Sequence, residues 1–233
     1  MTTFGLVHGA WHGAWCWDRL VPELEGRGHR TVAIDLPCED PAAGFVHYAE
    51  VVDRALGAAD DLVLVGHSLG GLTIPLVAAR RPVRCLVFLC AGLPLFGRSL
   101  DDQVAAEPDI YVPGYLTHPG RVLHPDGSTS WRDAASARAI FYQDCTPREA
   151  EWAWARLRRQ AATPRREPCP LTAWPEATRV SIIGREDRAI APAWSRRAAR
   201  ERLSVEALEL PGGHSPFLSR PTELAALLDR VIR

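Results

Sequence analysis

The chain has 233 residues, 47% hydrophobic and 24% charged, with a formal net charge of −1 at pH 7. That is enough for one domain with a sizeable core, and the balanced charge offers no footprint for nucleic acid or an anionic membrane surface as partner. Every one of the 27 basic residues is Arg, which excludes any Lys-based catalyst and otherwise reads as compositional bias.

Short apolar runs alternate with helical patterns along the chain. The runs 3–7, 31–35, 62–65, 83–89, 179–183 and 205–210 read as strands. Apolar spacing predicts helices over 18–27, 46–59, 69–80, 191–200 and 221–232. This βα alternation implies an α/β fold with a doubly wound, mostly parallel sheet. In such sheets ligands bind beyond the C-terminal ends of the strands. The N-terminal Met-Thr-Thr has no basic region and runs straight into a strand, so neither signal peptide nor membrane span is expected, and a cytoplasmic location is. The six cysteines form no Cys-x-x-Cys pair and have no His in ligand spacing. Free thiols and no metal are therefore expected.

Residues 92–174 break the rhythm. No clear strand is read there; prolines recur, helical patterns cover 130–143 and 147–160, and aromatic residues are dense. An insertion of this length between two strands reads as a helical cap (92–174) over a core made of 1–91 and 175–233. Its aromatic residues Tyr111, Tyr115, Phe141 and Tyr142, with Trp11 from the core, are candidates to line a substrate pocket.

The chemistry-bearing segment is Gly66-His67-Ser68-Leu69-Gly70-Gly71, directly after the strand at 62–65 and directly before a helical pattern. Strand, Gly-x-Ser-x-Gly and helix together make a nucleophile elbow, with Ser68 held on a strained turn between two small residues. A serine nucleophile needs a base, and the base needs an orienting acid. His214 lies on the Pro-Gly-Gly-His loop after the last strand and fits the base. Asp187, in Gly184-Arg185-Glu186-Asp187, follows the preceding strand and fits the acid; Glu186 and Asp35 are the alternatives. Acyl transfer also needs two backbone N–H groups for the oxyanion. Leu69, next to the nucleophile, supplies one. Ala10, in the glycine-rich loop after the first strand, supplies the other.

These pieces resemble the α/β-hydrolase superfamily over nearly the whole chain, and more narrowly its plant-type methylesterase and hydroxynitrile lyase subgroup with bacterial esterase relatives. The similarity rests on residues 7–15, the Gly66–Gly71 elbow, Gly184–Asp187, Gly213-His214 and the segment 141–149. It implies Ser68, His214 and Asp187 as a catalytic triad, Ala10 and Leu69 as oxyanion donors, and no cofactor. Lyases of the subgroup carry Thr after the first-loop His and Lys after the catalytic His. Gly9 and Ser215 stand there instead, so cyanohydrin cleavage is not expected. The expected activity is hydrolysis of a small or medium carboxylic ester. The alternatives are a biosynthetic enzyme acting on a thioester, lactone or cyclisation substrate, and a non-catalytic ligand-binding protein of the same fold. A homodimer is left open.

Overall fold

The computed structural model describes residues 1–232. Eight strands occur in chain order: β1 (Thr3–Val7), β2 (Arg30–Ile34), β3 (Leu62–His67), β4 (Cys85–Leu89), β5 (Arg121–Leu123), β6 (Thr129–Trp131), β7 (Thr178–Gly184) and β8 (Leu208–Leu210). Six of them form one sheet in the order β2-β1-β3-β4-β7-β8, every neighbouring pair parallel. β1, β3 and β4 are buried along their whole length. This is why they read as continuous apolar runs rather than as alternating ones: helices cover both faces.

The pleat sorts successive side chains to opposite faces. Phe4, Leu6, Val63, Val65, Val87 and Leu89 pack in one core with α1 (Leu20–Glu25) and α9 (Pro221–Val231). Val7, Leu62, Leu64, Leu86 and Phe88 pack in the other, against α2 (Phe45–Leu56), α3 (Ile74–Ala78) and α8 (Pro192–Ala198). The chain leaves β1 toward one edge and β3 toward the other. Their C-terminal ends, level at the Val7–Gly66 pairing, therefore flank the topological switch point, where the diverging loops open a crevice.

The helix predicted over 69–80 is in two pieces, a 3₁₀ turn at Ser68–Leu72 and then α3. Gly70 and Gly71 weaken a regular helix there, and Pro75 lacks the N–H that would continue one. Between β4 and β7 lie α4 (Leu100–Ala106), α5 (Ala134–Phe141), α6 (Pro147–Trp154), α7 (Thr163–Arg166) and a hairpin that the sequence reading did not contain, β5 paired antiparallel with β6. The hairpin turn is chemically specified. Asp126 Oδ1 accepts from Ser128 N at 2.9 Å, and Gly127 takes φ +80°. The helix predicted over 130–143 starts only at Ala134, because Asp133 caps it by accepting from Ser136 N at 2.7 Å. The helix predicted over 147–160 stops at Trp154; six residues on, Gln160 is extended and bridged to Thr129. All six cysteines are free. Among the described residues no helix is long and apolar enough to cross a membrane.

Candidate active site

Ser68 stands at the end of β3 with φ +51°, a left-handed conformation that costs a non-glycine residue about 1–3 kcal/mol. The neighbouring glycines make the turn feasible. A Cβ on Gly66 would lie 2.7 Å from the Gly70 carbonyl oxygen, and one on Gly70 would lie 2.6 Å from that of Val7. The Ser68 carbonyl accepts from Gly92 N at 3.1 Å, which ties the elbow to the end of β4.

His214 follows β8, and its Nδ1 lies 2.8 Å from Asp187 Oδ2. A carboxylate only accepts, so Nδ1 carries a proton and donates it, and Nε2 is the ring nitrogen left free of the carboxylate. The other carboxylate oxygen, Asp187 Oδ1, takes the N–H groups of Ala189 (2.8 Å) and Ile190 (3.1 Å). His214 and Asp187 are both buried, at 1% and 6% exposure, so neither carboxylate oxygen depends on water for its orientation. Glu186 has a different place. Its carboxylate takes the Gly212 N–H and its own N–H reaches Gly212 O at 3.0 Å, lashing the loop after β7 to the loop that carries His214. Asp35 is solvent-exposed and holds Ala14 N and Arg158.

His67 precedes Ser68 in the chain and joins it to the histidine loop. Its Nε2–H donates to His214 O at 2.9 Å, and the two rings sit 4.7 Å apart. Two more histidines hold the loop after β1, a role the sequence reading did not find. His8 accepts the Leu36 N–H on Nε2 (3.0 Å), so its Nδ1–H donates to Gly9 O at 2.8 Å. His12 Nδ1–H donates to Ala10 O at 2.8 Å, while Tyr142 O–H donates to its Nε2 at 2.7 Å. The pattern His8-Gly9-x-x-His12-Gly13 was the available signal. Burial pushes the His8 pKa down to about 4 and that of His12 to about 3, and holds His67 well below its ordinary value, so all three are neutral.

With both carbonyls held, Gly9–His12 forms a turn closed by His12 N to Gly9 O at 3.4 Å. Ala10 occupies the position whose N–H stays outside the turn bond. Trp11 takes φ +64°, an unusual angle for tryptophan, and is fixed there from the insertion. Its Nε1–H reaches Thr129 O and Oγ1, both at 3.1 Å, and its carbonyl accepts from Arg158 N at 2.7 Å. Arg158 also donates to His12 O at 2.8 Å and to Leu36 O at 3.1 Å. Leu69 is the second residue of the 3₁₀ turn, where the first N–H groups lack an intrahelical partner.

Ser68, Ala10, Trp11 and Leu69 line one cleft together with Tyr111 and Tyr115 of the insertion; the space between its atoms, including the mouth, is about 830 Å³. Phe141 and Tyr142, nominated with them, do not line it. Phe141 packs behind, 5.7 Å from both the Trp11 and the His214 rings, and Tyr142 is spent on His12. Gln143 and Asp144 grip the two catalytic loops instead: Gln143 Nε2 donates to Glu186 O (2.8 Å) in the loop after β7, and Asp144 Oδ2 accepts from Gly213 N (3.0 Å) in the histidine loop. Among the described residues no cluster of His, Cys, Asp and Glu could hold a metal ion.

Residues 6–227 match the alpha/beta hydrolase family. Esterase PIR7B of Oryza sativa subsp. japonica is 40% identical over 110 residues, 42% of this chain and only 41% of the esterase's own length. Alpha-hydroxynitrile lyase of Arabidopsis thaliana is 28% identical over 249 residues, covering 95% of this chain and 93% of that protein. Among solved structures, a pyrethroid hydrolase from Sphingobium faniae JZ-2 superposes with a TM-score of 0.83 at 27% identity over 99% of this chain and 97% of its own. Fold, switch-point crevice and matched sequence agree: the chain belongs to the alpha/beta hydrolase family.

Proposed function

We propose that the protein is a serine hydrolase that cleaves a small or medium carboxylic ester through an acyl-enzyme on Ser68. The observation that carries this reading is the buried His214–Asp187 pair, with both carboxylate oxygens engaged and the histidine loop tied to the residue before Ser68. His214 Nε2 takes the Ser68 proton as Oγ attacks the ester carbonyl. Asp187 keeps the imidazole in the required tautomer and balances the imidazolium that forms. The oxyanion is received by the Ala10 and Leu69 N–H groups. His214 then protonates the departing alcohol, and a water repeats the sequence on the acyl group.

Residues 92–174 act as a cap over this site, supplying Tyr111 and Tyr115 to a largely apolar wall with Leu72, Leu100 and Ile110. That wall favours an acyl or alcohol group with apolar bulk, worth about 0.8 kcal/mol per buried methylene. Cyanohydrin cleavage is disfavoured, because the residue after His214 is the fully buried Ser215 and not a cation. Six unpaired thiols suit a reducing, cytoplasmic setting. The test is a p-nitrophenyl ester series from acetate to octanoate, run beside mandelonitrile. kcat/KM should climb with chain length and vanish in Ser68→Ala. Preference for acetate would remove the apolar pocket, and efficient cyanide release would remove the hydrolase reading.

A further inference from the structure

The cleft that holds Ser68 is not uniformly apolar. Two arginines line it, Arg121 on β5 and Arg165 on α7, together with one carboxylate, Asp101 on α4. Arg165 Nη1 lies 2.7 Å from Asp101 Oδ1, so that pair is internally neutral. Arg121 has no carboxylate partner among the described residues. Its Nη1 reaches only the Leu116 carbonyl, at 3.4 Å, and its Nε is buried with no hydrogen-bond partner. The cleft therefore carries one uncompensated positive charge, partly withdrawn from water. Leaving a buried guanidinium donor unmatched costs free energy that a bound acceptor would recover.

A second group on the same hairpin wall is also unmatched. Gln160, bridged to Thr129 beside Arg121's hairpin, is buried and lines the cleft. Its Nε2 is turned away to Cys38 O, Tyr48 O–H and Ala161 O at 3.2–3.4 Å. This fixes the amide orientation and leaves Oε1 buried without a donor. An unpaired donor and an unpaired acceptor, both buried on residues that line this cleft, mark a wall suited to a polar ligand group.

We propose that Arg121 is the anion subsite of this cleft, and that the preferred substrates are esters carrying a carboxylate apart from the scissile ester. The carboxylate seats on the Arg121 guanidinium, and Gln160 Oε1 receives a hydroxyl or amide N–H of the same molecule. The charge fixes which end of the substrate faces the cap, so that the ester carbonyl is presented to Ser68. The inference rests on the ester-hydrolase reading for its substrate class, but not for the anion subsite itself.

The test uses matched esters. Mono-p-nitrophenyl succinate, glutarate and adipate are compared with the uncharged p-nitrophenyl esters of equal chain length, and 4-carboxyphenyl butyrate with phenyl butyrate. The readout is the ratio of kcat/KM for the charged to the uncharged member, which normalises for any loss of folded protein. In Arg121→Gln the best of these ratios should fall by about tenfold or more, as expected for loss of a charge-assisted hydrogen bond. Arg121→Lys, which keeps the charge, should restore part of it. Ratios unchanged by Arg121→Gln in both series would overturn the proposal. Failure of the ester-hydrolase reading is separable, since calorimetric titration with glutarate and adipate against butyrate and hexanoate needs no turnover. A dicarboxylate affinity that falls about tenfold in Arg121→Gln supports the subsite even if no ester is cleaved. Equal affinities in the two proteins overturn it.

Discussion

Three neutral, buried imidazoles hold the loops around Ser68, and this makes the fold sensitive to mild acid. His8 and His12 fix the carbonyls of Gly9 and Ala10, and His67 fixes that of His214. In the folded protein their pKa values are about 4, about 3 and well below the ordinary range. In the unfolded chain each titrates near the ordinary value of about 6.5. The unfolded state therefore binds more protons than the native state below that value. The stabilisation is fully present above about pH 6.5 and is lost as pH falls toward the folded-state values. Between pH 7 and pH 5 His8 and His12 each account for about 2 kcal/mol, together about 4 kcal/mol, much of the ~5–15 kcal/mol stability of an ordinary domain, and His67 adds to the loss in the same direction. Urea unfolding at intervals from pH 7.5 to 5.0 measures this, in a window where most carboxylates stay ionised. The steep part of the curve should approach a slope of about 3 kcal/mol per pH unit from the two protons of His8 and His12, and be steeper still by the share of His67. His12→Gln should lower that slope by about one proton. A stability that stays flat between pH 6.5 and 5 would mean that these imidazoles are not buried and neutral, and would refute the hydrogen-bond assignments of the loop after β1.

Three further outcomes are expected. Asp187→Asn should lower kcat by about 10⁴-fold, because the amide leaves His214 in the wrong tautomer and the imidazolium without its counter-charge, whereas Glu186→Gln should act on stability more than on kcat; steady-state kinetics beside thermal melts separate the two. Arg158→Ala removes the donor to His12 O and Leu36 O, so kcat should fall more than KM rises as the Ala10 N–H loses its aim, by about 10-fold to 100-fold, within the range of an impaired oxyanion donor.

The sheet was legible in the sequence for a physical reason. β1, β3 and β4 are covered on both faces, so Leu62–Val65 and Cys85–Leu89 had to be apolar throughout. The elbow was legible because the tight turn admits only glycine at 66 and 70, where a Cβ would meet backbone oxygen. The hairpin at 121–131 was missed although His124-Pro125-Asp126-Gly127 is a turn signal, because its strands are only three residues long and Trp131 leads directly into a helical pattern. The aim of a side chain was the least legible feature. Tyr142 and Phe141 are adjacent to each other and close to the cleft, yet the first is committed to His12 and the second to the backs of Trp11 and His214. Long-range partners decide such orientations, and periodicity carries no trace of them. The roles of His8 and His12 were hidden for a related reason: their His-Gly spacing marks the loop, but each ring bonds a carbonyl one or two residues away, and which carbonyl depends on the folded shape of that loop.

The most direct test of the proposed chemistry is covalent labelling of the nucleophile. The folded protein is treated with a fluorophosphonate, its intact mass is recorded, and the modified peptide is mapped with and without Ser68→Ala. If Ser68 is activated by His214 and Asp187, one adduct forms, it maps to Ser68, and p-nitrophenyl ester hydrolysis is lost in step with labelling, while Ser68→Ala takes up no probe. An adduct on another serine with Ser68 unmodified, or ester turnover that survives in Ser68→Ala, would contradict the assignment of Ser68 as nucleophile.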